Sequence, residues 1–283
     1  MVDEYTAPWI ARGAVLSWDD RPDLCLVVRY DGTDYHGFQK QAAGATIQGE
    51  LERVLTALLG AGEIVGASRT DAGVHACGQV VVWRGPVQVP IERIAMVANR
   101  KLPRAIQIVQ AWWVPSGWDP RRAARAKQYS YRLWRAPGPP DLHWHRFVQP
   151  SGAALSWQRL QRAAALFEGT HDFWAFRTEG AGVQSTIRTI FASRWIIEEK
   201  GNIWRYQVVG NGFLYRMVRH MVGSMICAAE PQGSLKEIES SLGRGTHKVA
   251  PLAPARGLML DWIDFGNEEG FGHVSGSRVG TRG

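Results

Sequence analysis

The sequence predicts an α+β protein made of two successive halves. Two observations carry this: a β-α-β-β-α-β order is read in the first half, and a similar order returns in the second. A third is length, since 283 residues suit one large domain or two modest ones at roughly 150 residues each. With 45% hydrophobic and 21% charged residues, the composition is that of a folded soluble chain, so any disorder would be local.

In the first half, the run from Leu24 to Arg29 reads as a short strand. Thr46 then caps a helix whose apolar positions Ile47, Leu51, Val54, Leu55 and Leu58 recur at the helical period. Strand-like runs follow from Glu63 to Ala67 and from Gln79 to Trp83, then a helix near Pro90 to Asn99 and a strand from Ile106 to Trp112. In the second half, Tyr129 to Trp134 reads as a strand and Trp157 to Phe167 as a helix. Ile190 to Glu198 and Trp204 to Val209 form a hairpin across Lys200, Gly201 and Asn202. Leu214, Met217, Val218, Met221, Val222 and Met225 share one helical face, and Gly257 to Phe265 is a closing strand. The expected division is an N-terminal extension (1–22), two α+β halves (23–114 and 115–265) and a frayed Gly/Ser-rich tail (266–283). Two such halves suggest a duplication whose mostly antiparallel sheets join around a central cleft.

The formal charge of +7 and the sequence pI near 9.6 make a polyanion a reasonable partner. Between Arg93 and Arg135 ten basic residues face one acid, Asp119, a local excess above that of the whole chain. Trp112, Trp113, Trp118, Tyr129 and Tyr131 lie in the same stretch, which places flat rings among cations as unpaired RNA bases require. A solvated basic face over ordinary core aromatics gives the same pattern, so the segment speaks for nucleic acid without settling it. Cys25, Cys77 and Cys227 are far apart and in no CxxC pair, which fits a reducing compartment and argues against a disulfide framework or a zinc site. No apolar run approaches the ~18 residues of a membrane span, and the first twenty residues lack signal-peptide character, so a cytoplasmic protein is expected.

The string from Ala67 to Gln79 is dense in small residues and falls between two predicted strands. Small residues allow close backbone approach to a ligand and hold Asp71 on a tight turn. An Asp two residues before a Gly is more often a turn former than a catalyst, and His75 more often a bonded loop residue than a base. Arg69 stands where it can pair with the carboxylate or hold a phosphate.

These residues carry a resemblance. Arg69-Thr70-Asp71-Ala72-Gly73-Val74-His75 resembles the signature of the TruA family of tRNA pseudouridine synthases. The stretch from Tyr30 to Gln41, followed by Thr46-Ile47-Gln48, is similar to the family's opening strand, loop and helix. Asn99-Arg100-Lys101-Leu102-Pro103 matches its Asn-x-x-Leu-Pro turn, and Ala126-Lys127-Gln128-Tyr129-Ser130-Tyr131 its second motif. The run from Asn211 to Arg219, with Val222-Gly223, resembles its third, and Gly257-Leu258 its C-terminal strand. The likeness spans about Leu24 to Phe265, with the motifs in order.

The resemblance implies the pseudouridine synthase fold and a homodimer acting on tRNA without cofactor or metal. The target would be uridines around positions 38 to 40 of the anticodon stem-loop. By the resemblance, Asp71 is the essential aspartate, Tyr129 the tyrosine that stacks on the target base, and Arg219 the arginine that pairs with that aspartate. Arg69 would contact RNA beside it. Arg121, in Trp118-Asp119-Pro120-Arg121, would act in flipping the target nucleotide out, with Trp118 among the tRNA contacts. Gly180 to Gln184 corresponds to a further tRNA-contacting loop. On the helical wheel Arg219 borders the apolar stripe, whereas Arg216 points to the exposed side. Two rivals stand beside this reading: a noncatalytic RNA-binding protein that keeps the fold, and a nuclease using Asp71 and His75. The second ranks lower because the sequence has no compact carboxylate or His cluster for metal ions.

Overall fold

A computed structural model describes residues 22–152, 154–179, 184–243, 251–266 and 274–275. The expected N-terminal extension thus lies outside the described residues apart from position 22, as does most of the expected tail. The chain forms two compact units. The first takes residues up to Ala72, Ala76–Arg125 and those from Asp261 on; the second takes Gly73–His75 and Ala126–Leu260.

The first unit opens with β1 (Asp23–Tyr30), in which Leu24 to Val28 are all buried. A continuous apolar run of this kind marks a strand covered on both faces. β1 is central, antiparallel to β3 on one side and to β4 on the other. Helix α1 (Ile47–Leu59) follows, its first turn capped by Thr46, whose side chain accepts from Gly49 N at 3.2 Å. Ile47, Leu51, Val54, Leu55 and Leu59 are buried; Leu59, one turn above Leu55, takes the place expected for Leu58. Then come β2 (Glu63–Gly66), β3 (His75–Arg84), α2 (Ile91–Asn99), β4 (Ile106–Val114) and the single turn α3 (Pro120–Ala123). β2 pairs antiparallel with β3, and α2 packs on β4. Asn99 closes α2 onto that strand: its side-chain amide donates to Ile108 O at 2.9 Å and accepts from Ile108 N at 2.8 Å.

The second unit begins with β5 (Ala126–Trp134) and β6 (Gln149–Pro150), a short parallel pair. Helix α4 (Trp157–Ala165), β7 (Gly169–Asp172), β8 (Ile187–Glu198) and β9 (Ile203–Gly210) follow, the strands running in the antiparallel order β5-β9-β8-β7. Helices α5 (Met217–Ala229) and α6 (Lys236–Ser241) come next, with α4 packed on α5 and on β8. Every apolar position expected on the α5 face, Leu214 to Met225, is buried. The last long strand, β10 (Leu258–Asp264), is shared between the two units, and β11 (Val274–Ser275) pairs antiparallel with its end.

The class is the α+β expected, and the strand pairs described above are antiparallel except for β5–β6. Two motif-bearing strands start earlier than the sequence suggests. β3 begins at His75 rather than Gln79, and β5 at Ala126 rather than Tyr129. Their leading residues, such as Gly78 and Lys127, have little strand preference of their own. They are drawn into strands by partners such as Tyr30 opposite Ala76 and Gly210 opposite Lys127.

Candidate active site

Asp71 lies in the first unit, on the connection from β2 to β3, and is partly buried. The segment before it is fixed by two side chains and the backbone of Phe38 rather than by a strand partner. Gln79, fully buried on β3, turns its amide toward Ser68: Nε2 donates to Ser68 O at 2.7 Å and Oε1 accepts from Ser68 N at 3.2 Å. Tyr30, at the end of β1, shares a 2.8 Å hydrogen bond between its hydroxyl and that of the buried Thr70. Phe38 N donates to Thr70 O at 3.0 Å. This approach requires Gly37, which has φ 93°; a Cβ there would lie 2.7 Å from Thr70 O. Residues 68 to 70 are thus held on both sides, and Asp71 follows them directly. Arg69 is exposed on the same loop.

His75, beyond the turn at Gly73, belongs to the second unit and is fully buried. Its Nε2 bonds to Arg256 O at 3.1 Å and its ring packs on Phe147 with centroids 4.8 Å apart. It is therefore a bonded residue, as expected, though at the start of β3 rather than in a loop, and its fully buried ring is not the open base a nuclease would ask for.

The other expected residues of the first unit are Trp118 and Arg121. Trp118 packs on Phe265, centroids 5.0 Å apart. Arg121 forms a two-point pair with Asp119 (Nε to Oδ1 3.0 Å, Nη2 to Oδ2 2.8 Å), while Asp119 also caps α3 by accepting from Arg121 N at 2.8 Å. The guanidinium holds the Asp119 carboxyl down at about 2, well below the usual carboxylate range.

Tyr129, Gln184 and Arg219 lie in the second unit. Tyr129 is 6% exposed and meets Phe213 edge-on at 5.2 Å, whereas Tyr131, two residues along β5, is wholly buried. Of the two tyrosines, only Tyr129 keeps any exposed surface. Burial pushes the Tyr131 phenol well above its ordinary range against the opposing pull of Arg219 and Arg256. Lys127, on the same strand, is held down to about 8, chiefly by burial and then by the charge of Arg188. Gln184 is exposed; 180–183, the rest of its expected loop, lie outside the described residues.

Arg219 sits in the first turn of α5, partly buried as its place beside the apolar stripe predicts. Its Nε donates to Ala253 O at 2.7 Å and its carbonyl accepts from Ala253 N at 3.2 Å. One turn on, Gly223 lets the helix meet the 251–253 segment; a Cβ there would fall 1.9 Å from Pro251 O. Arg216 departs from expectation. It is not a helix-surface residue but stands before α5 at φ 61°, half-buried, with its guanidinium over the Tyr215 ring. The apolar period that starts at Leu214 hid this break, because Leu214 is buried without being helical.

A family model described as tRNA pseudouridine synthase matches residues 26–121 and 163–265, which include Asp71 and Arg219. The chain belongs to that family. Among its relatives is tRNA pseudouridine synthase A of Acetivibrio thermocellus, 37% identical over 237 residues, covering 83% of this chain and 96% of the relative. The protein of the same name from Ruminiclostridium cellulolyticum is 36% identical over 241 residues, with the same coverage. That of Solidesulfovibrio magneticus is 35% identical over 260 residues, covering 86% and 91%. Within this pseudouridine synthase, sequence reasoning singled out Asp71 but not the roles of Tyr30 and Gln79. The available signal was a glutamine leading into the apolar run Val80–Trp83 and a tyrosine at the end of β1, where a buried amide or phenol must find partners. Among the described residues, no group of three or more His, Cys, Asp or Glu side chains is placed to hold a metal ion, and no helix is long and apolar enough to cross a membrane.

Proposed function

We propose that this chain isomerises uridine to pseudouridine in tRNA, with uridines around positions 38 to 40 of the anticodon stem-loop as targets. The reaction breaks the C1′–N1 glycosidic bond, turns the uracil and rejoins it through C5. The C5 proton leaves, N1 gains one, and nothing is oxidised or reduced. Such a sequence asks for one carboxylate, an aromatic face for the base and cations for the phosphates. In this reading Asp71 supplies the carboxylate, Tyr129 the ring and Arg219 the cation, while Arg69, Arg121, Trp118 and Gln184 contact the RNA. Family membership carries the reaction, and the clamped 68–70 backbone supports Asp71 as its centre, since a reacting carboxylate needs a fixed position. A uridine inside a stem must first be extruded, at a cost of a few kcal/mol that contacts to the flanking phosphates offset.

The test is turnover on an unmodified tRNA transcript. Asp71→Asn is expected to form no detectable pseudouridine while binding tRNA close to wild-type affinity; normal turnover by Asp71→Ala overturns the assignment. The same reading makes the enzyme a cytoplasmic homodimer, and sedimentation of the free protein at the mass of one chain rejects the dimer. Exposed apolar side chains on β8, Ile187 and Phe191, offer surface of the kind such an interface uses.

A further inference from the structure

On the second unit two aromatic rings stand out of the surface, each with an arginine beside its face. Trp174 is 43% exposed and Tyr215 41% exposed. Trp174 begins a 3-10 turn, Trp174–Phe176, whose flanking Phe173 and Phe176 are fully buried and cluster with Phe167. Asp172 Oδ1 accepts from Trp174 N at 3.0 Å and fixes the start of the turn. The indole is thus displayed by an anchored backbone. The Arg177 guanidinium lies 5.9 Å from the Trp174 ring and that of Arg216 lies 4.8 Å from the Tyr215 ring.

The two segments are tied together. Thr178 N donates to Tyr215 O at 3.0 Å, and the Thr178 hydroxyl bonds His220 Nε2 at 3.1 Å. The left-handed φ of 61° at Arg216 breaks the chain direction just before α5, so Tyr215 and Arg216 are presented together. Arg177 Nε is buried with no hydrogen-bond partner among the described residues. Tyr215 lies two residues after Phe213, the ring that meets Tyr129.

We propose that Trp174 and Tyr215 form a stacking platform for unpaired nucleotides of the tRNA beside the target uridine, with Arg177 and Arg216 holding the adjoining phosphates. This rests on the tRNA reading above. Flat rings interleaved with guanidinium groups suit bases that have left their stack, each base offering a π-face and each phosphate a pair of acceptors. A chain with a surplus of +7 also favours a polyanion over an acid-poor protein surface.

The experiment measures pseudouridine formation and tRNA affinity for wild type, Trp174→Ala, Tyr215→Ala, Trp174→Phe and Arg177→Gln. Each alanine variant is expected to raise KM about tenfold, the loss residing in KM and not in kcat. The slope of log affinity against log salt should stay at the wild-type value for both. Trp174→Phe should recover most of the loss, because a ring is restored. Arg177→Gln should lower the salt slope by about one. Single-stranded oligouridine should quench part of the tryptophan emission of wild type, and that part should be missing in Trp174→Phe. Thermal midpoints within a few degrees of wild type confirm that the half-exposed side chains are dispensable for folding. Wild-type turnover together with unchanged KM in both alanine variants overturns the platform and leaves the function standing. The platform also falls if the alanine variants change the oligomeric state and not the affinity, since the rings then serve contacts between copies. A wild-type protein that forms no pseudouridine but loses Trp174 emission on RNA overturns the function and supports the platform.

Discussion

The Asp71 loop and the start of α5 solve the same problem, fixing one charged side chain, by different means. Before Asp71 the backbone is gripped by directional bonds from Gln79 and Tyr30, because a loop of small residues has little apolar surface to bury. Around Arg219 two bonds to Ala253 are added to a hold set mainly by shape: an apolar helix face lies in the core, and Gly223 admits the carbonyl of Pro251. The difference teaches where each site is vulnerable. The loop should respond to loss of a polar atom that leaves volume unchanged, and the helix to a single added methyl.

The largest expected effect lies on the helix side. Gly223→Ala places a methyl carbon 1.9 Å from a backbone oxygen that cannot swing away, and should lower unfolding free energy by about 3 kcal/mol or more in denaturant titrations. A loss below ~1 kcal/mol breaks the view that shape fixes this helix. On the loop side, Gln79→Leu keeps the volume but strips both partners from Ser68, costing about 2 kcal/mol. Because the amide positions Asp71 through its backbone, kcat should fall at least tenfold with KM for tRNA near wild type. Gln79→Glu, which sets an acceptor against Ser68 O, should also fail to restore kcat. If either variant loses stability alone, with full kcat in the folded protein, Gln79 is only structural. Tyr30→Phe removes the hydroxyl that bonds Thr70 at 2.8 Å and accepts from Gln79 Nε2 at 3.5 Å, and should cost about 1 kcal/mol with a smaller loss of kcat.

The smallest effect sharpens the contrast from the other side, since the second unit also holds a partly buried charge. Below about pH 8 Lys127 carries its proton in both folded and unfolded chains, and the cost of burying the charge is fully present. Between about 8 and the unfolded value near 10.5, the folded chain has released the proton and the unfolded chain has not. Stability should therefore rise with pH across that window. Comparing the pH dependence of unfolding for wild type and Lys127→Met isolates this contribution, which should be missing in the variant.

Much of the architecture was legible because it follows from local rules. The apolar period marks α1 and α5, the Thr46 cap marks where α1 begins, and the continuous apolar run marks β1 as a central strand. The short elements were not legible. β6, β7, α3 and α6 are two to six residues long, too short for a period to register, and the two strands exist because a neighbour supplies their partners. The early starts of β3 and β5 escaped for the same reason, and so did the left-handed Arg216, which an unbroken apolar pattern concealed.

By itself the sequence determined the class of the fold, the order of its main elements, the family, and Asp71, Tyr129 and Arg219 as the residues to watch. The class and the order of elements depend on residue type and spacing along one chain, whereas the family and its three expected residues rest on the resemblance that the ordered motifs carry. Only the tertiary structure decided that Gln79 and Tyr30 clamp the loop before Asp71 and that His75 is a buried anchor. A hydrogen bond between residues 40 or 181 positions apart leaves no periodic trace. It is set by which strands pair and in what register, and those pairings appear only when the chain has folded.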